Sequence, residues 1–140
     1  MAGVTYNAIN IGAYSVRFND RLGVFKRAVL LKLFGSVIKD TPVDTGRLRG
    51  NWTFETSING SPNSLATEDK SGGVTVAKVA ADIDQHVSHK DGFACLSNSM
   101  HYAYRIEYEG WSKIKAPEGM VRKNIIRISG ILKRQARELA

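Results

Sequence analysis

Two stretches of helical apolar spacing, one near each end of the chain, constrain the fold more than any other feature. In the first, apolar residues recur every three or four positions at Leu22, Phe25, Val29, Leu33 and Val37. This period is typical of an amphipathic helix with one buried face. We expect the helix to span about residues 19–39, with a cap at Asn19 or Asp20, because the residue before Pro42 avoids helical angles.

The second stretch lies in the last part of the chain and has the clearest period. Its apolar residues are Val121, Ile125, Ile128, Leu132 and Leu139. Pro117 fits the first turn of such a helix. We expect the first four apolar residues to pack inward. Six cations would then point outward: Arg122, Lys123, Arg127, Lys133, Arg134 and Arg137.

Between these helices the pattern changes to that of short strands. Trp52 and Phe54 alternate with polar residues over 51–58, valines mark a second strand over 74–79, and residues 93–96 form a short apolar run. Residues 101–108 predict a short helix closed by Gly110, and residues 82–91 look exposed. Without strand–helix–strand alternation, this order predicts an α+β fold, with an antiparallel sheet flanked by a long N-terminal helix and a C-terminal amphipathic helix.

The length of 140 residues favours one domain. We assign residues 19–140 to it and the weakly patterned residues 1–18 to an N-terminal arm or strand. Residues 59–73 are rich in Gly, Ser, Pro and Asn and predict an exposed loop. We expect the arm and the loop to dock onto partners, because long loops in compact domains are usually functional or disordered.

The chain is basic, but its charge is unevenly placed. It carries 20 Lys+Arg and 13 Asp+Glu, a net charge of +7. Residues 1–50 hold eight basic and three acidic groups, residues 51–110 hold four and eight, and residues 111–140 hold eight and two. Such blocks allow complementarity with partners, including copies of the same chain.

Composition excludes several classes of protein. The hydrophobic fraction of 43% argues against wholesale disorder. No segment approaches the ~20 apolar residues of a membrane span, and residues 1–10 do not resemble a secretory signal. The single Cys95 cannot form an internal disulfide. We therefore expect no membrane association and no dependence on disulfides.

The motifs that carry chemistry are weak. Asp44-Thr45-Gly46 matches the tripeptide of aspartic proteases, but the neighbouring Arg47 would keep the carboxylate ionised. His86 and His89 lack a placed third metal ligand, and Cys95 lies in an apolar run typical of an inert thiol. No phosphate loop or nucleophile elbow is present. We expect no enzyme activity, no metal and no cofactor.

Two segments predict structural or contact roles. We expect residues 41–52 to form a corner in which Asp44 caps a turn, Gly46 supplies an unusual backbone angle and Trp52 enters the core. Around residues 102–111, Tyr102, Tyr104, Tyr108 and Trp111 are interleaved with Arg105. Tyr, Trp and Arg dominate interface hot spots, so this cluster predicts a protein interface or the edge of a core. Stacking on single-stranded bases is the alternative.

Three stretches together resemble a known family. They are Thr41–Trp52 after a long amphipathic helix, Asn98–Lys113, and Ala116–Arg122 opening a C-terminal helix. Their order and spacing are similar to the tail-completion or neck proteins of tailed bacteriophages, the group that contains the lambda minor tail protein Z. The resemblance runs from about residue 19 to residue 137.

The resemblance implies a structural virion protein without catalysis, located at the neck or the head-proximal tail end. It implies a subunit that forms a homo-oligomeric ring, with six-fold symmetry favoured, and that contacts head-completion, tail-terminator or tail-tube proteins while DNA passes through. A tail terminator that caps the tail tube, and a small basic nucleic-acid-binding protein, are the alternatives. The interface candidates are Tyr102, Tyr104, Arg105, Glu107, Tyr108, Trp111, Arg122, Lys123, Arg127, Lys133, Arg134 and Arg137. The corner comprises Asp44, Gly46, Arg47 and Trp52.

Overall fold

The computed structural model describes residues 11–57, 67–90 and 92–139. Within these ranges the chain forms six helices and two short strands. In chain order they are α1 (Ile11–Asp40), α2 (Arg47–Gly50), β1 (Thr53–Glu55), α3 (Gly73–His86), β2 (Cys95–Ser97), α4 (Ala103–Tyr108), α5 (Arg122–Ile126) and α6 (Ile128–Leu139). The fold is therefore mixed, mostly helical, with a long N-terminal helix and a small sheet.

Helix α1 starts earlier than the sequence predicts. It runs for 30 residues from Ile11 to Asp40, so the predicted arm or strand is wrong for residues 11–18 and no cap forms at Asn19 or Asp20. Ile11, Tyr14 and Phe18 are spaced by three and four, and they extend the helical period of the downstream residues. The predicted end before Pro42 is correct. Residues 1–10 lie outside the described residues.

Helix α3 occupies residues for which a strand and an exposed stretch are predicted. Valines favour strands through their β-branched side chains, but here Thr75, Val79 and Ile83 recur every four residues and are all buried. The helical period outweighs the local preference because that face packs against α1 and β1. The second predicted strand is therefore wrong, and residues 82–91 are not uniformly exposed, since Ile83 and Val87 lie in the core.

The sheet consists of β1 and β2, which pair antiparallel. Thr53 faces Ser97, Phe54 faces Leu96 and Glu55 faces Cys95. Phe54 is buried, whereas the residues of β2 are half-buried. The predicted antiparallel sheet is present, although it is shorter than the apolar runs suggest and Phe93 lies before β2, partly exposed.

The core lies where the second half of α1 meets β1 and α3. It contains Phe34, Val37, Ile38, Leu48, Trp52, Phe54, Val79, Ile83, Val87, Met100 and Met120. The rings of Phe34 and Phe54 meet with centroids 6.4 Å apart. The first half of α1 contributes little, because residues 11–18 are all exposed.

The C-terminal helix is broken at Arg127 and rotated from its expected orientation. Ile125 is 54% exposed, so its predicted inward packing is wrong, and Leu132 is only partly covered. Asn124 and Gln135 are buried instead. Asn124 Nδ2 donates to Asp40 Oδ2 at 2.9 Å and to Met120 O at 2.7 Å. Because these bonds hold Asn124 inward, the apolar side chains of Ile125 and Leu132 face solvent.

Candidate protein interface

The corner at residues 41–52 is built around two close packing contacts. Gly46 has φ of +91° and lies so near the backbone of Asp69 that a Cβ would meet it at 2.8 Å, so only glycine fits this turn. Trp52 is buried, and its Nε1 donates to Thr41 Oγ1 at 2.8 Å. Both residues therefore have the roles that the sequence predicts.

The capping carboxylate next to this corner is not Asp44 but Asp69, which caps the start of α3. Asp44 is exposed, and α2 begins with no side-chain cap. Asp69 is buried. Its Oδ1 accepts from Gly72 N at 2.9 Å, and its Oδ2 accepts from Thr75 N and Thr75 Oγ1, both at 2.8 Å. Burial alone would raise the pKa of Asp69, but these donors outweigh it and hold the pKa below its usual value. The prediction that Asp44 caps a turn is wrong. Of the predicted exposed loop, residues 59–66 lie outside the described residues, residues 67, 68, 70 and 71 are exposed as predicted, and Asp69 is buried.

We expect Asp69→Ala to lower the free energy of unfolding by about 2 kcal/mol, because a cap and charge-assisted hydrogen bonds are lost together. Asp44→Ala is the matched control at an exposed position and should change stability by less than about 0.5 kcal/mol. Urea unfolding of both variants measures the difference. Equal losses in the two variants would contradict the assignment of the cap to Asp69.

Two arginines connect the corner to neighbouring segments through hydrogen bonds and an ion pair. The Arg49 guanidinium donates to Lys39 O at 2.8 Å, to Thr41 O at 2.7 Å and to Lys70 O at 2.5 Å, so it caps the C-terminal end of α1. Arg47 Nε forms an ion pair with Glu68 Oε1 at 3.2 Å. Arg47 thus belongs to the corner, as predicted, whereas the role of Arg49 depends on carbonyl groups that no sequence pattern reveals.

Helix α4 and the turn after it carry an exposed aromatic surface. We define the aromatic surface as Tyr104, Arg105, Tyr108, Trp111 and Arg122. Its three rings are each more than half exposed. Tyr104 and Tyr108 have ring centroids 4.9 Å apart. The Arg105 guanidinium lies 4.5 Å from the centre of the Trp111 ring, and that of Arg122 lies 5.2 Å from Tyr108. The side chains form two contacting groups, Tyr104 with Tyr108 and Arg122, and Arg105 with Trp111. An interface role for them stays a prediction.

Two other interface candidates face inward. Tyr102 packs against the core. Burial raises its pKa above the usual value, and the nearby Asp44 adds to this effect while Arg47 opposes it. Glu107 is only 5% exposed and lies beneath the aromatic surface. The prediction that Glu107 is a contact residue is therefore wrong.

Glu107 instead caps the segment that leads into α5. Its carboxylate accepts from the backbone N–H groups of Met120 at 2.7 Å, Val121 at 2.9 Å and Arg122 at 2.9 Å. Burial alone would raise its pKa, but these bonds and the Arg122 guanidinium hold the pKa below its usual value. Gly119, with φ of +77°, comes so close that a Cβ would lie 2.6 Å from Glu107 Oε1. The hydrogen bonds of Glu107 thus fix the backbone of residues 120–122 next to the aromatic surface.

A groove of about 530 Å³ separates the corner from α4. One wall is residues 42–48, and the other includes Met100, Tyr102, Ile106 and Trp111. Lys115 Nζ closes one end by donating to Val43 O at 2.7 Å. Since Glu107 binds residues 120–122, all three sequence stretches quoted above meet in this region.

The C-terminal cations divide into two groups. Lys123 Nζ lies 3.4 Å and Arg127 Nη1 lies 3.7 Å from Asp40 Oδ2, and Arg122 pairs with Glu107 at 3.2 Å. These three cations have acidic partners within their own chain. Lys133, Arg134 and Arg137 are exposed on α6. Of the six cations that the sequence predicts to point outward, Arg122 and Arg127 are also exposed, and Lys123 is half-buried.

Among the described residues, no group of three or more His, Cys, Asp or Glu side chains has an arrangement that could hold a metal ion. Across residues 11–57, 67–90 and 92–139, no helix is both long enough and apolar enough to cross a membrane. Burial, followed by the charge of Glu55, raises the pKa of the Cys95 thiol, which makes it a weaker nucleophile. The arrangement around α4 is suited to binding a macromolecular partner through aromatic rings and guanidinium groups.

Comparison with protein-family models, with curated proteins and with solved structures found no match.

Proposed function

We propose that this chain is a structural subunit of the head–tail junction of a tailed bacteriophage. Copies of the chain form a ring, with six-fold symmetry favoured, that completes the tail and joins it to the head while the genome passes through. It acts by assembly and not by catalysis. Its place is in the virion, at the neck or the head-proximal end of the tail, after assembly in the bacterial host.

The convergence of the three sequence stretches carries this proposal. The corner and residues 100–115 lie far apart in sequence but line the same groove, and the buried Glu107 accepts hydrogen bonds from the backbone of the third stretch at residues 120–122. A resemblance based only on the helical pattern would not predict that these three stretches contact one another. The exposed Tyr104, Tyr108 and Trp111 further support a contact role, because large aromatics at interfaces contribute most of the binding energy.

In this reading the aromatic surface binds a neighbouring head-completion, tail-terminator or tail-tube protein. Arg105 and Arg122 are already held against the rings, so little side-chain entropy remains to be lost on binding. Lys133, Arg134 and Arg137 give α6 a basic face, for which acidic residues of a neighbouring copy are the favoured partner. Repeated charge pairs of this kind set register and association rate more than affinity.

The test is a phage in which the gene carries an early stop codon, grown in a host that does not read through it. We expect DNA-filled heads and separate tails of normal length in electron micrographs, and purified protein should restore joining in extracts. Tails of uncontrolled length would instead identify a tail terminator. Normal particles would reject the proposal.

Trp111→Ala tests the aromatic surface within the same extract assay. Removal of an exposed hot-spot ring should reduce the rate of joining by at least about tenfold, whereas the fold should be unaffected because Trp111 is 58% exposed. Ile114→Ala, at a 96% exposed position in the next turn, is the control. Equal joining by the two variants would show that the ring of Trp111 makes no contact.

A nucleic-acid-binding protein remains the second candidate, favoured by the open cations of α6 and by the exposed rings. Its affinity for DNA would fall steeply between 50 and 200 mM salt. For the structural subunit we expect only weak DNA binding at physiological salt.

A further inference from the structure

The solvent-facing side of α1 carries a straight row of cations. Arg21, Lys32 and Lys39 are all exposed. They are spaced by eleven and seven residues, which are close to three and two full turns of an α-helix, so they lie in one row. At about 1.5 Å per residue the row is about 27 Å long. Arg17, also exposed, lies one turn before Arg21 and extends it.

The C-terminal helices add a second row of cations. Gln135 is buried where α6 packs on α1. Leu132 lies about 60° around α6 to one side of Gln135, where it lines a groove with the core residue Val87. Arg127 and Arg134 are exposed and lie about 80–100° around the helix to the other side. This second row therefore points away from the core.

The row on α1 points in the same direction. Asp40 accepts a hydrogen bond from Asn124 of α5, so it marks the side of α1 that faces the C-terminal helices. The core residue Phe34 lies about 120° around α1 to one side of Asp40, whereas Lys32 and Lys39 lie about 80–100° to the other side. The two rows are therefore neighbours on one surface. We call this surface the basic face and define it as Arg17, Arg21, Lys32, Lys39, Arg127 and Arg134.

The charge of the basic face is mostly uncompensated. Within the described part of the chain, five of its six cations form no ion pair. The sixth, Arg127, lies 3.7 Å from Asp40 with a side chain that is 61% exposed. Glu138, four residues after Arg134, adds one negative charge to this side of α6. The residues outside the described ranges contain a single acidic side chain, that of Asp91, so they cannot neutralise the face.

A neighbouring copy of the chain offers few acids for this face. Residues 51–110 contain eight acidic residues, but five of them already bond within their own chain: Glu55, Glu68, Asp69, Glu107 and Glu109. Among the described residues of this segment, only Asp82 and Asp84 on α3 are left. A neighbouring copy can therefore contact Lys133 and Arg137 on the far side of α6, but it does not account for the basic face.

We propose that the basic face binds the phosphate backbone of double-stranded DNA without sequence specificity. Over about 27 Å a duplex presents roughly sixteen phosphates, one per 1.7 Å of its axis, so each cation of two straight rows can contact one. Interfaces with DNA are much more positively charged than interfaces between proteins, from which Lys is depleted. On α1, no exposed aromatic ring lies between Arg21 and Lys39, so the face does not provide the stacking that single strands require.

Two glycines keep the basic face open to a rod-shaped ligand. Gly35 lies beside the α1 row, between Lys32 and Lys39, and Gly130 lies in the middle of the second row. A Cβ at either position would meet no other described atom within 4 Å, so packing within the chain does not require glycine there. Glycine weakens a helix relative to alanine, but its missing side chain lets the backbone of a ligand come close.

The experiment measures binding of the full chain to a fluorescently labelled duplex of about 30 base pairs, roughly three turns, by anisotropy over a series of salt concentrations. Lys32→Glu combined with Arg134→Glu reverses one charge in each row. Lys78→Glu combined with Lys90→Glu is the matched control, because it reverses two exposed charges on and after α3 and changes the net charge equally. Circular dichroism confirms helix content. Lys32→Gln combined with Arg134→Gln replaces the first variant if its helix content falls.

We expect the affinity of the parent to fall about 10³-fold between 50 and 200 mM salt, as for six phosphate contacts, and to be equal for duplexes of different sequence. At physiological salt the Kd should lie between about 10⁻⁶ and 10⁻⁴ M. At 50 mM salt the variant of the two rows should bind at least about thirtyfold more weakly than the parent, and the control should stay within about threefold.

Three results would overturn the proposal. Equal losses in the two double variants would show that net charge alone attracts the DNA. Displacement of the duplex by an equal charge of polyglutamate would assign the face to an acidic protein. A parent chain that does not bind the duplex at 50 mM salt would show that the face binds no DNA.

This site does not rest on the function proposed above, and the two can fail separately. If the stop-codon phage assembles normally while the purified chain binds the duplex through the basic face, the function is wrong and the site stands. If joining of heads to tails requires the chain but reversal of the two rows leaves the affinity for DNA unchanged, the site is wrong and the function stands.

Discussion

Replacing Trp52 with alanine is expected to lower the free energy of unfolding by about 3–5 kcal/mol. Trp52 is 5% exposed and packs in the core beneath α1. The loss combines the transfer free energy of the indole with the cavity that remains. It also removes the donor to Thr41 Oγ1, which itself donates to Val37 O at 2.7 Å near the end of α1.

The second tryptophan of the chain provides a matched control. Trp111 is 58% exposed, and its ring contacts the Arg105 guanidinium. Trp111→Ala should therefore cost no more than about 1 kcal/mol, the scale of an exposed cation–π contact. Urea unfolding followed by circular dichroism measures both. A Trp52 variant that unfolds at the parental midpoint would show that this side chain does not support the core.

Removal of Glu107 is the second change with a large expected effect. Glu107→Ala leaves three backbone N–H groups without their acceptor and removes the ion pair with the half-exposed Arg122, so we expect a loss of about 2–4 kcal/mol. Glu118→Gln replaces an exposed acid in the turn before α5 and should be nearly neutral. Similar unfolding of the two variants would contradict the capping role.

The pH dependence of stability tests the same carboxylate. The pKa of Glu107 is lower in the folded chain than its ordinary value of about 4.3, so the unfolded state binds protons first as the pH falls. The stabilisation is therefore complete above about pH 5 and is lost as the pH falls through the folded pKa. Asp69 contributes in the same direction.

Glu107→Gln distinguishes the contribution of Glu107 to the pH dependence of stability from that of Asp69. It should unfold with a shallower loss of stability below about pH 4.5 than the parent, because only the Asp69 contribution remains. Unfolding free energies measured between pH 7 and pH 3 provide the comparison. Parallel pH profiles for the parent and the Gln variant would show that Glu107 does not titrate with folding.

The sequence predicted the elements whose local pattern agrees with their packing. The second half of α1, the corner glycine, Trp52 and the short helix α4 are of this kind. Helix α3 was missed because its valines favour strands locally, whereas its buried face at Thr75, Val79 and Ile83 has a helical period. Packing of that face against α1 and β1 favours the helix over the strand.

The candidate interface was predicted less completely, because a sequence pattern places charged and amide side chains on the solvent-facing surface. Glu107 is buried by hydrogen bonds to residues that follow it by more than ten positions, and Asn124 by its bond to Asp40. Neither partner is visible in a local pattern. The rotation of α5 and the inward position of Glu107 both follow from these bonds. The ring symmetry, the partners and the DNA passage stay predictions.

The pairing of α1 with α6 has a consequence for synthesis. Helix α6 packs mainly on α1, but roughly 90 residues separate the end of α1 from the start of α6. At a synthesis rate of about 5–20 residues per second, several seconds pass between the synthesis of α1 and that of α6. The α6-facing side of α1 stays uncovered during that time. During that interval the nascent chain presents apolar surface to chaperones and to its neighbours on the polysome. The face of α1 against which α6 packs is therefore completed only when the last part of the chain has been made.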